Sequence, residues 1–88
     1  MHIQIDEWGD KAQLIIMDDG TTRQYFFVVS SSTPNYILGN DGLHIVSNFY
    51  PEIVNLYENH KGFTDWEKAT RAYQTYIHHI SQLEEEPI

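Results

Sequence analysis

The chain has 88 residues with 13 acidic and 5 basic side chains. Its net charge of −8 excludes nucleic acid and anionic lipid as direct partners, because both require clustered Lys and Arg. Cysteine is absent, which excludes disulfides and thiolate chemistry. No apolar run approaches the ~20 residues of a membrane span and no signal-peptide pattern opens the sequence, so we expect one cytoplasmic domain over residues 1–88.

Three strands are predicted in the first 30 residues. Residues 2–8 alternate polar and apolar side chains, and residues 11–18 and 22–30 are rich in the branched and aromatic residues that pack well on a pleated sheet. Gly9-Asp10 and Asp19-Gly20 predict two-residue hairpin turns, because Gly and Asp tolerate the positive φ of such turns. The segment is therefore expected to form an antiparallel meander.

The two predicted turns also define a register. Ile5 would lie opposite Leu14, and Leu14 opposite Tyr25, so that one face of the sheet becomes apolar. That face would contain Ile3, Ile5, Ala12, Leu14, Ile16, Tyr25, Phe27 and Val29.

The rest of the chain adds one uncertain hairpin and two helices. Residues 36–46 contain two apolar runs around a turn of Gly, Asn and Asp, which indicates a second hairpin or a single strand. Apolar residues at helical spacing predict helices over about 49–60 and 65–83, followed by a frayed acidic tail over 84–88. The predicted fold class is α+β: an antiparallel β-meander of three to five strands with two C-terminal helices packed on one face.

The outer face of the predicted sheet mixes polar and large apolar side chains. Trp8, Ile15, Met17 and Phe26 all fall on it. Three interpretations stay open at this stage. The face is a protein-binding patch, or it is the surface that the second hairpin or the first helix covers, or it carries scattered exposed apolar residues.

Acidic residues are concentrated in the first 20 positions. Asp10 falls in the first predicted turn, and Asp18 and Asp19 flank or enter the second, so a meander would place them at opposite ends of its middle strand. They are too far apart for one metal cage but could present negative charge along an edge. The partner-binding residues predicted from both features are Asp6, Trp8, Asp10, Asp18, Asp19 and Phe26.

No catalytic, metal or cofactor motif stands out. None of the five histidines has a partner at the four-residue spacing of a helical zinc site. His44, His60 and His79 become acid–base candidates only if a pocket forms where the sheet meets a helix. We therefore expect no enzyme activity, no cofactor and no metal.

These features favour a small acidic protein-binding module, most concretely an inhibitor that masks a basic, nucleic-acid-binding site on a partner such as a nuclease. In size and charge the chain resembles immunity proteins that block basic nuclease toxins, and phage proteins that imitate DNA to block restriction or CRISPR nucleases. One alternative is a structural accessory protein that assembles as a homo-oligomer through its outer sheet face. The second alternative is a small ligand-binding domain or enzyme.

Overall fold

Five strands are followed by two helices. The computed structural model describes residues 1–9, 12–30 and 34–85, with residues 80–85 described in their backbone only. The elements are β1 (His2–Trp8), β2 (Ala12–Asp18), β3 (Arg23–Val28), β4 (Asn35–Gly39), β5 (Gly42–Val46), α1 (Phe49–Glu58) and α2 (Trp66–Glu85). All strands join one antiparallel sheet in the order β1-β2-β3-β4-β5, which confirms the predicted α+β class and meander.

Two boundaries bear on the predictions for the second half of the chain. Both apolar runs of residues 36–46 are strands, so this segment is a hairpin rather than a single strand. The last helix continues through Glu84 and Glu85, where the sequence predicted a frayed tail. Residues 86–88 of that tail lie outside the described residues.

The first hairpin loop is one residue longer than predicted, and this changes the register of β1. Trp8 pairs with Ala12 and Ile5 with Ile15. Because side chains alternate between faces, a shift of one residue moves every β1 side chain to the other face. Ile5 therefore joins the face of Ile15, and Trp8 joins the face of Leu14.

The second loop is two residues longer than predicted, with different consequences. Asp18 pairs with Arg23, and Leu14 pairs with Phe27 instead of Tyr25. A shift of two residues leaves each side chain on its predicted face, so the pairing of apolar residues between β2 and β3 survives.

The two helices lie on opposite faces of the sheet, which corrects the prediction that both pack on one face. α1 buries Ile53 and Tyr57 on one face, against Ile15, Met17, Phe26, Val28, Ile37 and Val46. α2 buries Ala69 on the other face, against Leu14, Phe27 and Leu38. The physical reason lies in β2 and β3, whose side chains are apolar on both faces and so require cover on both.

The chain crosses from one face to the other between β3 and β4. These strands pair only at Phe27–Leu38 and Val28–Ile37, and they separate beyond that point. Residues 60–63, which we call the crossover, occupy the gap. The amide of Tyr25 donates to the carbonyl of Phe63 at 2.7 Å, and the amide of Phe63 donates back at 2.9 Å.

A buried glutamine holds the crossover in place. Gln24 is 1% exposed; its Nε2 donates to the Tyr57 carbonyl at 2.9 Å, and its Oε1 accepts from the Gly62 amide at 2.8 Å. A side chain at Gly62 would place its Cβ 2.6 Å from Gln24 Cβ and 2.8 Å from Phe26 Cε2, so this approach requires glycine. The side-chain Nδ2 of Asn40 also donates to the Gly62 carbonyl at 3.1 Å.

Candidate functional site

Of the six predicted partner-binding residues, the five that the structure describes do not form one patch. Asp6 is exposed on β1, Trp8 is half-buried at the end of that strand, and Phe26 is fully buried. Asp18 and Asp19 lie at the β2–β3 loop, and Asp10 lies outside the described residues.

The two aromatic residues cannot act together as anchors for a partner. Phe26 has no exposed surface and packs in the core beneath α1. Trp8 lies on the other face, with its ring centroid 6.1 Å from that of Phe27 and 5.2 Å from that of Trp66. Of the interpretations of the outer face, cover by the first helix is therefore the one observed for Ile15, Met17 and Phe26, whereas Trp8 is half-buried on the other face.

Asp18 is both a loop-forming residue and a negative charge at neutral pH. Its carboxylate accepts from the Gly20 amide at 2.6 Å and from Arg23 Nε at 3.0 Å. These two hydrogen bonds, the Gly20 amide first, lower the pKa of the carboxyl group. Asp18 therefore stays ionised through the neutral range and well into acid.

Asp19 behaves in the same way with different partners. Its Oδ1 accepts from the amides of Thr21 and Thr22, both at 2.8 Å. These bonds, that of Thr22 first, lower the pKa of the carboxyl group. The two aspartates thus fix the loop, which is the local role that turn aspartates commonly have, while keeping their charge.

The described carboxylates near β1 line one side of the sheet, which we call the acidic edge: Asp6, Glu7, Asp18 and Asp19. β1 is an edge strand, and His2 at its start pairs with Asp18. Asp6 lies four residues further along, about 13 Å away at ~3.4 Å per residue. Negative charge therefore extends along an open strand edge, and Ile5 between the charges is 38% exposed.

The basic side chains are distributed differently from the carboxylates of the acidic edge. Arg23 is paired with Asp18 at 3.0 Å, and Lys61 is paired with Asp41 at 3.2 Å. Lys68 and Arg71 on α2 have no acidic partner among the described residues. Unpaired positive charge therefore lies on α2, away from the acidic edge.

An open groove of about 530 Å³ runs between α2 and the β4–β5 hairpin. Leu38 and Phe63 lie at its base. The α2 side is formed by Lys68, Arg71, Ala72, Thr75, Tyr76 and His79. This is a pocket at the junction of sheet and helix, and of the three candidate histidines it contains His79 alone.

An exposed apolar surface flanks this groove. Tyr36, Leu43 and Ile45, which we call the hairpin patch, are 38%, 46% and 64% exposed. The cross-strand pairs Tyr36–Ile45 and Leu38–Leu43 place them on the same sheet face as α2. Sequence reasoning missed both features, although the alternation in β5 and the polar residues recurring along α2 at spacings of three and four were visible signals.

The other two candidate histidines, His44 and His60, lie outside the groove. His44 Nε2 lies 2.6 Å from Asp41 Oδ1, and this contact, together with Lys61, lowers the pKa of Asp41. His60 lies in the crossover with a φ of +57°. Within residues 1–9, 12–30 and 34–79, no three His, Cys, Asp or Glu side chains converge as metal ligands would.

Comparisons with protein-family models, with curated proteins and with solved structures found no match to this chain. In the part of the chain that the structure describes, no helix combines the length and the apolar character needed to cross a membrane.

Proposed function

We propose that the chain is a protein-binding module whose acidic edge masks a basic site on a partner protein. The observation that supports this most directly is the arrangement of four carboxylates at one edge of the sheet: Asp6 and Glu7 lie on the edge strand β1, and Asp18 and Asp19 lie at the β2–β3 loop beside the start of β1, where hydrogen bonds keep them ionised. A partner surface built to bind nucleic-acid phosphates offers the complementary Lys and Arg.

The mechanism is competitive occupation of that site. The net charge of −8 attracts a basic partner over distance and raises the association rate at low salt. In contact, the edge carboxylates pair with cations, and the exposed Ile5 supplies an apolar contact beside them. The free backbone of β1 can also accept a strand from the partner, which adds hydrogen bonds with a defined direction.

The proposal includes a cytoplasmic inhibitor, of the immunity or phage anti-restriction and anti-CRISPR type, that acts on a nuclease. Size, charge and the absence of cysteine support it. We do not propose assembly through the outer sheet face, because α1 covers that face.

The test is capture of partners by the tagged protein from a lysate of the source organism, or of its host if the source is a virus, at low and at high salt. The test variant is Asp6→Asn with Glu7→Gln, which removes two edge charges without disturbing the β2–β3 loop. Its matched control is Glu58→Gln with Glu67→Gln, which removes two exposed charges from the helices.

We expect the wild-type protein and the control to capture one basic protein that is lost at high salt, and the edge variant to capture much less. Equal loss in both variants would show that only total charge matters. Capture that is insensitive to salt would contradict charge masking altogether.

A further inference from the structure

β5 is the edge strand at the opposite side of the sheet from β1, and it lacks the features that keep edge strands from pairing with other chains. Its residues Gly42–Val46 include no carboxylate, lysine, arginine or proline. Edge strands of natural proteins are commonly protected by such residues. β1 has this protection in Asp6 and Glu7. β5 therefore presents an unprotected edge to which a further strand can be added.

Two residues of β5 have backbone groups that point away from β4. Gly39 and Gly42 pair across the two-residue turn between these strands, where the carbonyl of the first turn residue accepts from the amide of the fourth. Hydrogen-bonded pairs alternate with non-bonded pairs along an antiparallel ladder, so the amides and carbonyls of Leu43 and Ile45 point outward. Among the described residues, no loop, turn or side chain forms a hydrogen bond with them. The edge thus offers two donors and two acceptors to one antiparallel strand.

The side chains of the same two residues are apolar and exposed. Leu43 is 46% exposed and Ile45 is 64% exposed, both in the hairpin patch. Because they lie on either side of His44, an antiparallel copy of β5 centred on His44 sets Leu43 opposite Ile45 and Ile45 opposite Leu43. This register gives a partner to all the outward backbone groups and brings the four apolar side chains together on one sheet face. The edge is therefore complementary to itself.

We infer that β5 pairs in antiparallel orientation with β5 of a second copy of this chain, across a two-fold axis at His44, so that the two sheets become continuous. A second copy is the occupant because the register that uses every outward group is also the one that a two-fold axis generates. Charge does not oppose the contact locally. Asp41, the carboxylate next to β5 in sequence, is paired with Lys61 at 3.2 Å.

The inference is independent of the proposed function, because the acidic edge lies at the other side of the sheet. The net charge of −8 on each copy opposes association over distance, so added salt should strengthen the dimer, whereas it weakens capture of a basic partner. Contact through one strand is small, so we expect a dissociation constant of about 10 μM to 1 mM.

Sedimentation equilibrium of the wild-type protein at low and at high salt measures this association. A protein that stays monomeric at high salt up to about 1 mM would overturn the inference. Polymers longer than the dimer would also overturn it, because they require β5 to pair with a different edge of the next copy. The edge variant Asp6→Asn with Glu7→Gln should dimerise at least as well as the wild type, which separates failure here from failure of the proposed function.

Two variants with opposite charges test the contact. Leu43→Lys with Ile45→Lys and Leu43→Glu with Ile45→Glu each set like charges opposite each other in a homodimer, so we expect the dissociation constant to rise about tenfold or more in both. Mixed together, the two variants are complementary, and sedimentation should show the dimer again, which also shows that both are folded. The control Ile77→Lys charges an exposed isoleucine of α2 and should dimerise as the wild type does. Dimers of each variant alone, or no dimer on mixing, would contradict the inference.

The absence of cysteine from the chain allows the register to be measured with single introduced thiols. His44→Cys places the two thiols in a non-hydrogen-bonded pair at the two-fold axis, with Cα atoms about 4.5 Å apart, a distance that a disulfide spans. Leu43→Cys is the matched control, because the two residues 43 are diagonal neighbours about 7–8 Å apart, beyond the ~6.8 Å that a disulfide normally spans. Oxidation with diamide should therefore crosslink the first variant and not the second on a non-reducing gel. Crosslinking of neither variant, or of Leu43→Cys as fast as His44→Cys, would refute the pairing.

Discussion

At the scale of single residues, polar side chains of this domain hydrogen-bond to backbone groups at the ends of strands and helices and so hold those segments in position. Gln24 joins the last turn of α1 to the crossover, and Asn40 joins the end of β4 to the same segment. Among the described residues every buried side-chain polar atom has a hydrogen-bond partner. Loss of the Gln24 side chain therefore leaves the Gly62 amide without its partner in a buried position.

We predict that Gln24→Leu lowers the free energy of unfolding by about 2 kcal/mol, because a buried group left without a partner costs roughly 1–3 kcal/mol. The group concerned is the Gly62 amide, whereas the Tyr57 carbonyl still accepts from the His60 amide at 3.0 Å. Urea unfolding followed by circular dichroism measures the change. Gln13→Leu is the matched control, since Gln13 is exposed on β2 and its loss should change stability by less than about 0.5 kcal/mol. Equal effects at the two positions would contradict the bridging role of Gln24.

The loop aspartates predict a specific response to acid. The pKa values of Asp18 and Asp19 are lower in the folded protein than the ordinary aspartate value, so their contribution to stability is complete above about pH 4. It is lost as pH falls through the folded pKa. Asp18→Asn with Asp19→Asn keeps the hydrogen-bond acceptors without the charge. Urea unfolding across this range should show that the variant loses less stability on acidification than the wild type, and parallel curves would refute the assignment.

At the scale of elements, the alternating and helical patterns of the sequence predicted three strands, two helices and a segment over residues 36–46 that was either a hairpin or a single strand. The lengths of the loops could not be predicted. The Gly9-Asp10 signal is compatible with a loop of two or three residues, and that single residue decides which face receives Trp8 and Ile5. The placement of α1 was left open: the fold prediction put both helices on one face, whereas cover of the face of Ile15 and Phe26 by the first helix was one of the interpretations considered, and that cover is observed. The acidic residues of the sequence predicted a negatively charged edge of the sheet. The prediction that Phe26 anchors a partner rested on the wrong assumption that its sheet face is open.

Because the two helices lie on opposite faces of the sheet, we expect truncation of an isoleucine on α1 and of one on α2 to change the free energy of unfolding by different amounts. Ile53 on α1 is fully buried, and Ile77 on α2 is 40% exposed. Ile53→Ala should lower the free energy of unfolding by about 3 kcal/mol, because it removes three core carbons and leaves a cavity. Ile77→Ala should cost less than about 1 kcal/mol. Chemical denaturation of both variants checks the ranking, and a larger cost at Ile77 would mean that α1 does not contribute a core of its own.

At the scale of the whole molecule, the excess of acidic over basic side chains causes electrostatic repulsion between carboxylates within the folded protein. Two of the five cations are already neutralised by aspartates, which leaves the excess largely uncompensated. The charge that would guide the protein to a basic partner therefore carries a cost in stability. Screening should relieve that cost.

We predict that NaCl stabilises the dilute protein. Raising the ionic strength from about 10 mM to about 150 mM shortens the screening length from roughly 30 Å to roughly 8 Å. The first length exceeds the smaller dimensions of the molecule, 28 and 22 Å, and the second is well below them. The thermal midpoint should rise accordingly, as measured by differential scanning calorimetry at a concentration where the monomer dominates. A midpoint that falls with salt would show that the ion pairs of Asp18 and Asp41 outweigh the general repulsion.

The crossover between β3 and β4 also constrains the order in which the domain can fold. The strand hairpins have local contacts and can form early, but the gap beside Tyr25 is filled only by residues 60–63, which lie more than 30 positions later in the chain. Closing such a long loop is slow in comparison with hairpin formation. A nascent chain that ends before the crossover exposes an unpaired stretch of β3, so completion of the C-terminal third determines when the whole sheet becomes protected from exchange with solvent.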